Sequence, residues 1–473
     1  MRKVAGLVTL TLCSTFTLAG TARAAPPKVA THTCPNGLEV LVVESHSVPT
    51  LTVEIAVKNG AMTEPPELNG LSHLYEHMFF KANAVLPSQE AYLARTRELG
   101  ILFNGSTNTE AVNYYLTTTS EHFSDAMTFM RDAVTSPLFD AKELERERVV
   151  VTGEIDRNEA SPSYHFWHEL GKRLWFKYPS RKDPLGTRAT VLKASVETMR
   201  TIQKRYYVPN NAVLILTGDV STQAVFDRAD MLFASWKKAD DPFVAFPLVK
   251  HPQLPRSEAV VIEQPVTSYA GQLAFHGPST VGENVDLTYA ADLLTLLISE
   301  PSSKFQKHLV ESGACVSATT SWYTQKNTGP ITVEFEAAPD KIDACVKAVL
   351  AELPAMRAAD YFSNEELANA GKKAELQTIR DREKPSQLAH LLSFWWTSAG
   401  LDYYFGYVDH MKRVDRAAIS RYLDTYVIGK SFVFGSMVSP AQKKAGFDAA
   451  HFAKLAGIGD GPGAAGAAKA VKP

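Results

Sequence analysis

Gly70-Leu-Ser-His73-Leu-Tyr-Glu76-His77-Met-Phe-Phe80 sets two imidazoles and one carboxylate close together on a stretch that reads as a helix. His73 and His77 are four apart, so on a helix they share a face and both rings can converge on one ion. Glu76, three on from His73, points to the same side. Two neutral imidazoles and an oxygen donor suit zinc, and a zinc held by three protein ligands keeps a position open for water. A carboxylate beside that water can serve as general base. The order His-x-x-Glu-His inverts the commoner His-Glu-x-x-His zinc motif. A match this short is also met by an amphipathic helix with two ordinary histidines, so the surrounding sequence has to choose between them.

Upstream, Leu38 to Val57 alternates apolar and polar residues in two runs split by Ser45 to Pro49, which predicts two strands and a turn. Asn59-Gly60 and Pro65-Pro66 end the second strand before the histidine helix. Downstream, Ser88 to Leu99 predicts a helix with Ser88 as N-cap and Gly100 beyond its end. Ile101 to Thr107 and Val112 to Thr119 predict paired strands, and Glu121 to Ala133 a helix.

Ala141 to Glu159 is mostly good helix former and dense in acid. Glu147 and Glu154 are two turns apart and share a face. Glu143, Glu145 and Glu159 read as solvated or paired with nearby arginines. Glu154 has apolar neighbours in Val149, Val150, Val151 and Ile155, which predicts a buried carboxylate that needs a partner. Asp183 to Thr187 is a turn, Val191 to Tyr207 one helix, Ala212 to Leu216 a buried strand closed by Gly218, and Thr222 to Trp236 a helix.

A formal net charge of −2 over 473 residues gives no sign of a nucleic-acid or anionic-membrane partner. Arg2 and Lys3, an apolar run from Val4 to Leu18, and Ala22-Arg23-Ala24 form the pattern of a secretory signal with a mature start near Ala25. No later segment is long and apolar enough to be a membrane span. Past the signal, Cys34, Cys315 and Cys345 remain, an odd number that leaves one thiol free or paired between chains. Whether Cys315 and Cys345 bond is left open by sequence, and none of the three has metal-site spacing.

Prolines at 242, 247, 252, 255 and 265 mark a linker that becomes a strand at Ala259 to Ile262. The second half then repeats the order of the first. Ala270 to Phe275 reads as a strand and Leu287 to Ser299 as a helix. Ala314 to Tyr323 and Ile331 to Ala337 follow as a strand pair. Helices then run over Ile342 to Leu353, Asn364 to Arg380, Gln387 to Ser398 and Arg416 to Tyr426, and a last strand lies near Phe432 to Val438. Leu287 to Ile298 stands where the histidine helix stood and contains no histidine, so the second half lacks a metal site. Residues 457–473 are too poor in apolar bulk to fold.

These features resemble the pitrilysin and mitochondrial processing peptidase family of zinc metallopeptidases, the inverzincins, over nearly the whole mature chain. Glu154 stands 77 residues after His77, the spacing of that family's third ligand, and Glu147 falls seven earlier, where the family keeps an assisting glutamate. Tyr207-x-Pro209-x-Asn211 and Leu216-Thr-Gly-Asp219 resemble its end-of-first-domain signature. The resemblance implies an α+β chain of two homologous halves, each a mixed sheet with helices packed on it, forming one half of a clam-shell chamber. It divides the chain into a signal peptide (1–24), a zinc-binding peptidase domain (25–245), a linker (246–265), a metal-free homologous domain (266–456) and a disordered tail (457–473).

It also implies one zinc per chain on His73, His77 and Glu154, with Glu76 taking a proton from the attacking water and passing it to the leaving amine. Glu147 would act beside it, orienting the ligands. Asn104, Gly105 and Ser106 would lie on the strand edge that pairs with peptide substrate. The family places an arginine and a tyrosine, seven apart, in its second half; aligned on Gly313, those positions here are Leu309 and Val316, with Tyr323 a nearby donor. Neither Leu309 nor Val316 can donate a hydrogen bond from its side chain. The resemblance therefore implies a peptidase that pairs with a homologous subunit lacking the zinc motif, a homodimer being the other arrangement, and the signal pattern adds export to the periplasm. The competing reading is a weakly catalytic or non-catalytic peptide-binding subunit of the same fold.

Overall fold

The computed structural model describes residues 28–459, so the expected signal peptide with Cys13, and the tail beyond 459, lie outside the described residues. Two mixed sheets carry the molecule. The first has β1 (Ala30–Thr33), β2 (Glu39–Glu44), β3 (Thr50–Val57), β4 (Leu102–Thr107), β5 (Val112–Thr119) and β6 (Ala212–Gly218), in the order β1-β2-β6-β3-β5-β4. The second has β7 (Glu258–Glu263), β8 (Tyr269–His276), β9 (Ser317–Trp322), β10 (Pro330–Ala337) and β11 (Val433–Val438), in the order β7-β11-β8-β10-β9.

Without β1, the two orders are identical strand for strand. In both, the first and last strands of the half pair in parallel, β2 with β6 and β7 with β11, while every other pairing is antiparallel. The expected α+β duplication is therefore present in connectivity as well as in element order. β4 and β9 are the equivalent free edges.

Among the described residues, the first half carries eight helices of six residues or more: α1 (Leu71–Phe79), α2 (Gln89–Glu98), α3 (Phe123–Thr135), α4 (Ala141–Glu159), α5 (Pro162–Leu174), α6 (Arg188–Lys193), α7 (Val196–Tyr206) and α8 (Thr222–Phe233). On one face of the first sheet, Val40, Val42, Leu51, Val53 and Ile55 form a core with Leu74, Tyr75 and Met78 of α1 and with α3, α7 and α8. The other face is covered from the second half: Leu388, Ala389, Leu392 and Trp396 of helix Pro385–Ser398 lie on Leu41, Val43, Ala56, Val213 and Ile215. The exchange is mutual. Phe166, Leu170 and Leu174 of α5 lie on Val260, Ala274, Val433 and Met437 of the second sheet. Gly435 of β11 permits this approach, because a Cβ there would come within 2.2 Å of Leu170 Cδ1. Each half thus buries one sheet face under a helix borrowed from the other.

Some expected elements differ. The single helix expected over Val191 to Tyr207 is two, because Ser195 accepts the Thr198 amide at 3.2 Å in a capping box and starts α7 afresh. Strand β1, α5 and helix Leu401–Met411 carry no counterpart in the sequence reading. Cys315 and Cys345, left open there, are joined in a disulfide, and Cys34 is a buried free thiol. No helix among the described residues is long and apolar enough to cross a membrane.

Candidate metal and peptidase site

Helix α1 follows β3, and α4 crosses behind it, so histidines from one and carboxylates from the other meet beside edge strand β4. The N-terminus of α1 is held by Glu64, whose carboxylate accepts the Gly70 amide at 2.7 Å and the Ser72 amide at 2.6 Å. Burial nevertheless pushes the Glu64 carboxyl up to about 7, the two amides only partly offsetting it. Since its pKa is raised on folding, this contribution to stability is complete below the ordinary value of 4.5 and is lost as pH rises through about 7. Glu64→Gln, which does not titrate, is expected to remove about 3 kcal/mol of the stability difference between pH 4 and pH 8, measured as urea midpoints of both proteins at the two pH values.

His73 Nε2 lies 3.3 Å from His77 Nε2 and 3.5 Å from Glu154 Oε2, and His77 Nε2 lies 3.7 Å from the same oxygen. Donors 2.0–2.1 Å from one tetrahedral zinc stand about 3.3–3.4 Å apart. The three side chains therefore fit a zinc ion with little movement, and His73, His77 and Glu154 form one of the groups able to hold a metal. His77 Nδ1 bonds Glu147 Oε2 at 3.0 Å, and Lys81 Nζ meets Glu147 Oε1 at 2.7 Å. Burial raises the Glu147 carboxyl, but His77 and Lys81 together outweigh it and leave the group below the usual carboxylate range. His73 Nδ1 is buried with no hydrogen-bond partner among the described residues. Burial, aided by His77, pulls its ring down to about 4, so the free imidazole is neutral and its lone pair available.

The buried carboxylate of α4 is not the one expected. Glu147 is 7 % exposed and Glu154 27 %. Val151 and Ile155 do enter the core, whereas Val149 and Val150 face solvent, which leaves Glu154 on the boundary between the two surfaces. Glu143 and Glu159 pair with Arg146 and Arg188 as expected.

Glu76 is mostly buried, and its Oε2 accepts the Thr107 hydroxyl at 2.6 Å. Burial raises its carboxyl above the usual range, against the pull of Thr107 and His77. Above it runs β4, with Phe103, Gly105 and Thr107 on the inner face and Leu102, Asn104 and Ser106 on the exposed one. Gly105 touches the site: a Cβ there would lie 3.0 Å from Glu76 Cγ and 3.1 Å from Glu76 Oε1. Gly105→Ala is therefore expected to shift the Glu76 side chain by a few tenths of an ångström, which a structure of the variant would show.

Asn104 and Ser106 turn away from this cluster. Asn104 Oδ1 accepts the Gly105 amide at 2.9 Å, and Ser106 Oγ bonds Asn113 Oδ1 at 2.6 Å. Thr107 and Lys81 were missed by sequence reasoning. Strand alternation from Gly105 reaches Thr107, and Lys81 is one turn beyond His77, so both signals were present. Leu309 is fully buried in the second core, within a π-helical turn at Lys307–Glu311, and Val316 is exposed. Helix Asp286–Ser299, the counterpart of α1, contains no histidine. A cavity of about 690 Å³ along α5, lined by Tyr164, Trp167, His168, Trp175 and Phe176 among others, includes none of His73, Glu76, His77 or Glu154, which instead lie beside an open strand edge.

Residues 39–186 match insulinase (peptidase family M16), and residues 193–373 match the peptidase M16 inactive domain. The chain is 29 % identical over 196 residues to the uncharacterized zinc protease YmxG of Bacillus subtilis, covering 41 % of this chain and about half, 48 %, of that relative. A protease from Helicobacter pylori superposes with a TM-score of 0.79 at 21 % identity, over 87 % of this chain and 100 % of that one. The periplasmic protease PqqL from Escherichia coli does so with a TM-score of 0.73 at 15 % identity, over 92 % of this chain but 50 % of that one. With consecutive matches to both domain types, and the inverted histidine motif inside the first, the chain belongs to the peptidase M16 family, the insulinase and pitrilysin group.

Proposed function

We propose that the chain is a zinc-dependent endopeptidase acting on short or unfolded peptides, with one catalytic zinc on His73, His77 and Glu154. The observation that carries this reading is the convergence of those three donors beside a buried Glu76 under a free strand edge. Bound there, zinc would polarise the scissile carbonyl and acidify water. Glu76, its carboxyl raised by burial, accepts a proton at the oxygen not held by Thr107 and delivers it to the leaving amine. Glu147 accepts a hydrogen bond from His77 Nδ1–H and so keeps the Nε2 lone pair turned to the ion. An extended peptide adds to β4 as a further strand, displacing Asn104 Oδ1 from the outward Gly105 amide, with Ser106 alongside.

In this reading the metal-bearing half, 25–245, joins the metal-free half, 266–456, through 246–265, and the two form one wall of a chamber. Leu309 and Val316 cannot hold a developing oxyanion, so a homologous subunit without the zinc motif supplies the arginine and tyrosine. That PqqL contains a length of chain matching this one and as much again supports a second half of this kind. An exported, periplasmic location is supported by the N-terminal sequence and by the Cys315–Cys345 disulfide. The same Leu309 and Val316 favour the alternative of a weakly catalytic peptide-binding subunit.

Removing metal separates the two. A chelator is expected to abolish peptide cleavage by the assembled complex, and zinc to restore it in the wild type but not in Glu154→Gln. Cleavage that survives full loss of metal would overturn the proposal.

A further inference from the structure

We propose that His32, Cys34 and Asp230 form a second metal site, for a borderline divalent transition ion with zinc the first choice, on the edge of the sheet opposite the peptidase site. β1 is an edge strand that carries His32, and Cys34 follows one residue past its end, at the start of the turn toward β2. From α8, Asp230 reaches back to bond His32 Nε2 at 2.9 Å, and Phe226, one turn earlier, supports the His32 ring at a centroid distance of 5.0 Å. The Cys34 thiol lies beside the same carboxylate, and one donor atom from each of the three residues falls within 4.8 Å of the others.

Thiolate, imidazole and carboxylate together favour zinc, cobalt or copper over magnesium or calcium, which prefer oxygen alone. Cys34 is nearly enclosed at 4 % exposure, while His32 and Asp230 are roughly a third exposed, so the cluster has a fixed floor and an open side for an entering ion. Five strand spacings, about 24 Å, separate β1 from β4. The two sites share no residue, and the thiolate band tests this inference by itself, whereas the second ion and the cleavage control rest on the peptidase reading.

Cobalt(II) distinguishes the sites, because only one contains sulfur. Metal-stripped protein titrated with cobalt is expected to bind two ions per chain, one of them giving a near-ultraviolet thiolate-to-cobalt charge-transfer band. His77→Ala should keep that band with one ion fewer. Cys34→Ser should lose the band and one ion while peptide cleavage by the assembled complex stays unchanged, and Asp230→Asn should weaken band formation tenfold or more. Should Cys34→Ser fail to fold, the wild type and His77→Ala still decide. A single cobalt per chain with no thiolate band, or a band that persists in Cys34→Ser, would overturn the proposal.

Discussion

Glu76→Gln is expected to lower kcat/KM for peptide hydrolysis by about 10²–10⁴-fold, the usual contribution of a positioned general base, while zinc stays bound. Glutamine matches the shape of the side chain, and its carboxamide oxygen can still accept the Thr107 hydroxyl, so the fold around β4 should not change. What is lost is the capacity to take a proton. Glu76 does not belong to the cluster of His73, His77 and Glu154, so the variant should match the wild type in metal content. Rate and zinc must be measured on one sample. Loss of both together would make Glu76 a ligand or a structural residue and would contradict the assigned role.

The second large effect concerns the partner. Removing one oxyanion donor typically lowers kcat by about 10²–10³-fold, and two positions here, Leu309 and Val316, carry none. The purified chain, fully loaded with zinc, should therefore cleave peptides at least about 10²-fold more slowly than its mixture with the most similar subunit of the same source that lacks the zinc motif. Glu76→Gln in the mixture should abolish the gain, which ties the chemistry to this chain. Equal rates alone and mixed would mean that the chain, or its homodimer, completes its own site, with Tyr323 as the nearest donor foreseen.

The parts legible in the sequence were those written locally. Ser88 caps α2 as its position implied, and α4 starts at Ala141 and ends at Glu159, because an acid-rich run of helix formers has few other states. The short Gly-punctuated stretch and the Tyr- and Thr-rich run after it gave β4 and β5 to within a residue. The break at Ala194 and Ser195 was missed because good helix formers on both sides mask a cap that competes with the helix backbone.

At the site, the fixed spacing led to Glu147 and Glu154, which the structure places against His77 and beside His73. Glu154 was expected to be the buried carboxylate and is the more exposed of the two, since counting apolar neighbours ignores which face each occupies. The helices that the two halves exchange, and the grouping of Asp230 with His32 across 198 positions, have no local signal at all. They arise only when β1, α8 and the two sheets come together.

Diffraction from crystals of the zinc-loaded chain, recorded on both sides of the zinc absorption edge, tests the central claim most directly. The account predicts an anomalous peak about 2.0–2.1 Å from His73 Nε2, His77 Nε2 and a Glu154 oxygen, with Glu76 close by but not bound. A fully zinc-loaded protein with no peak among those three side chains would contradict it.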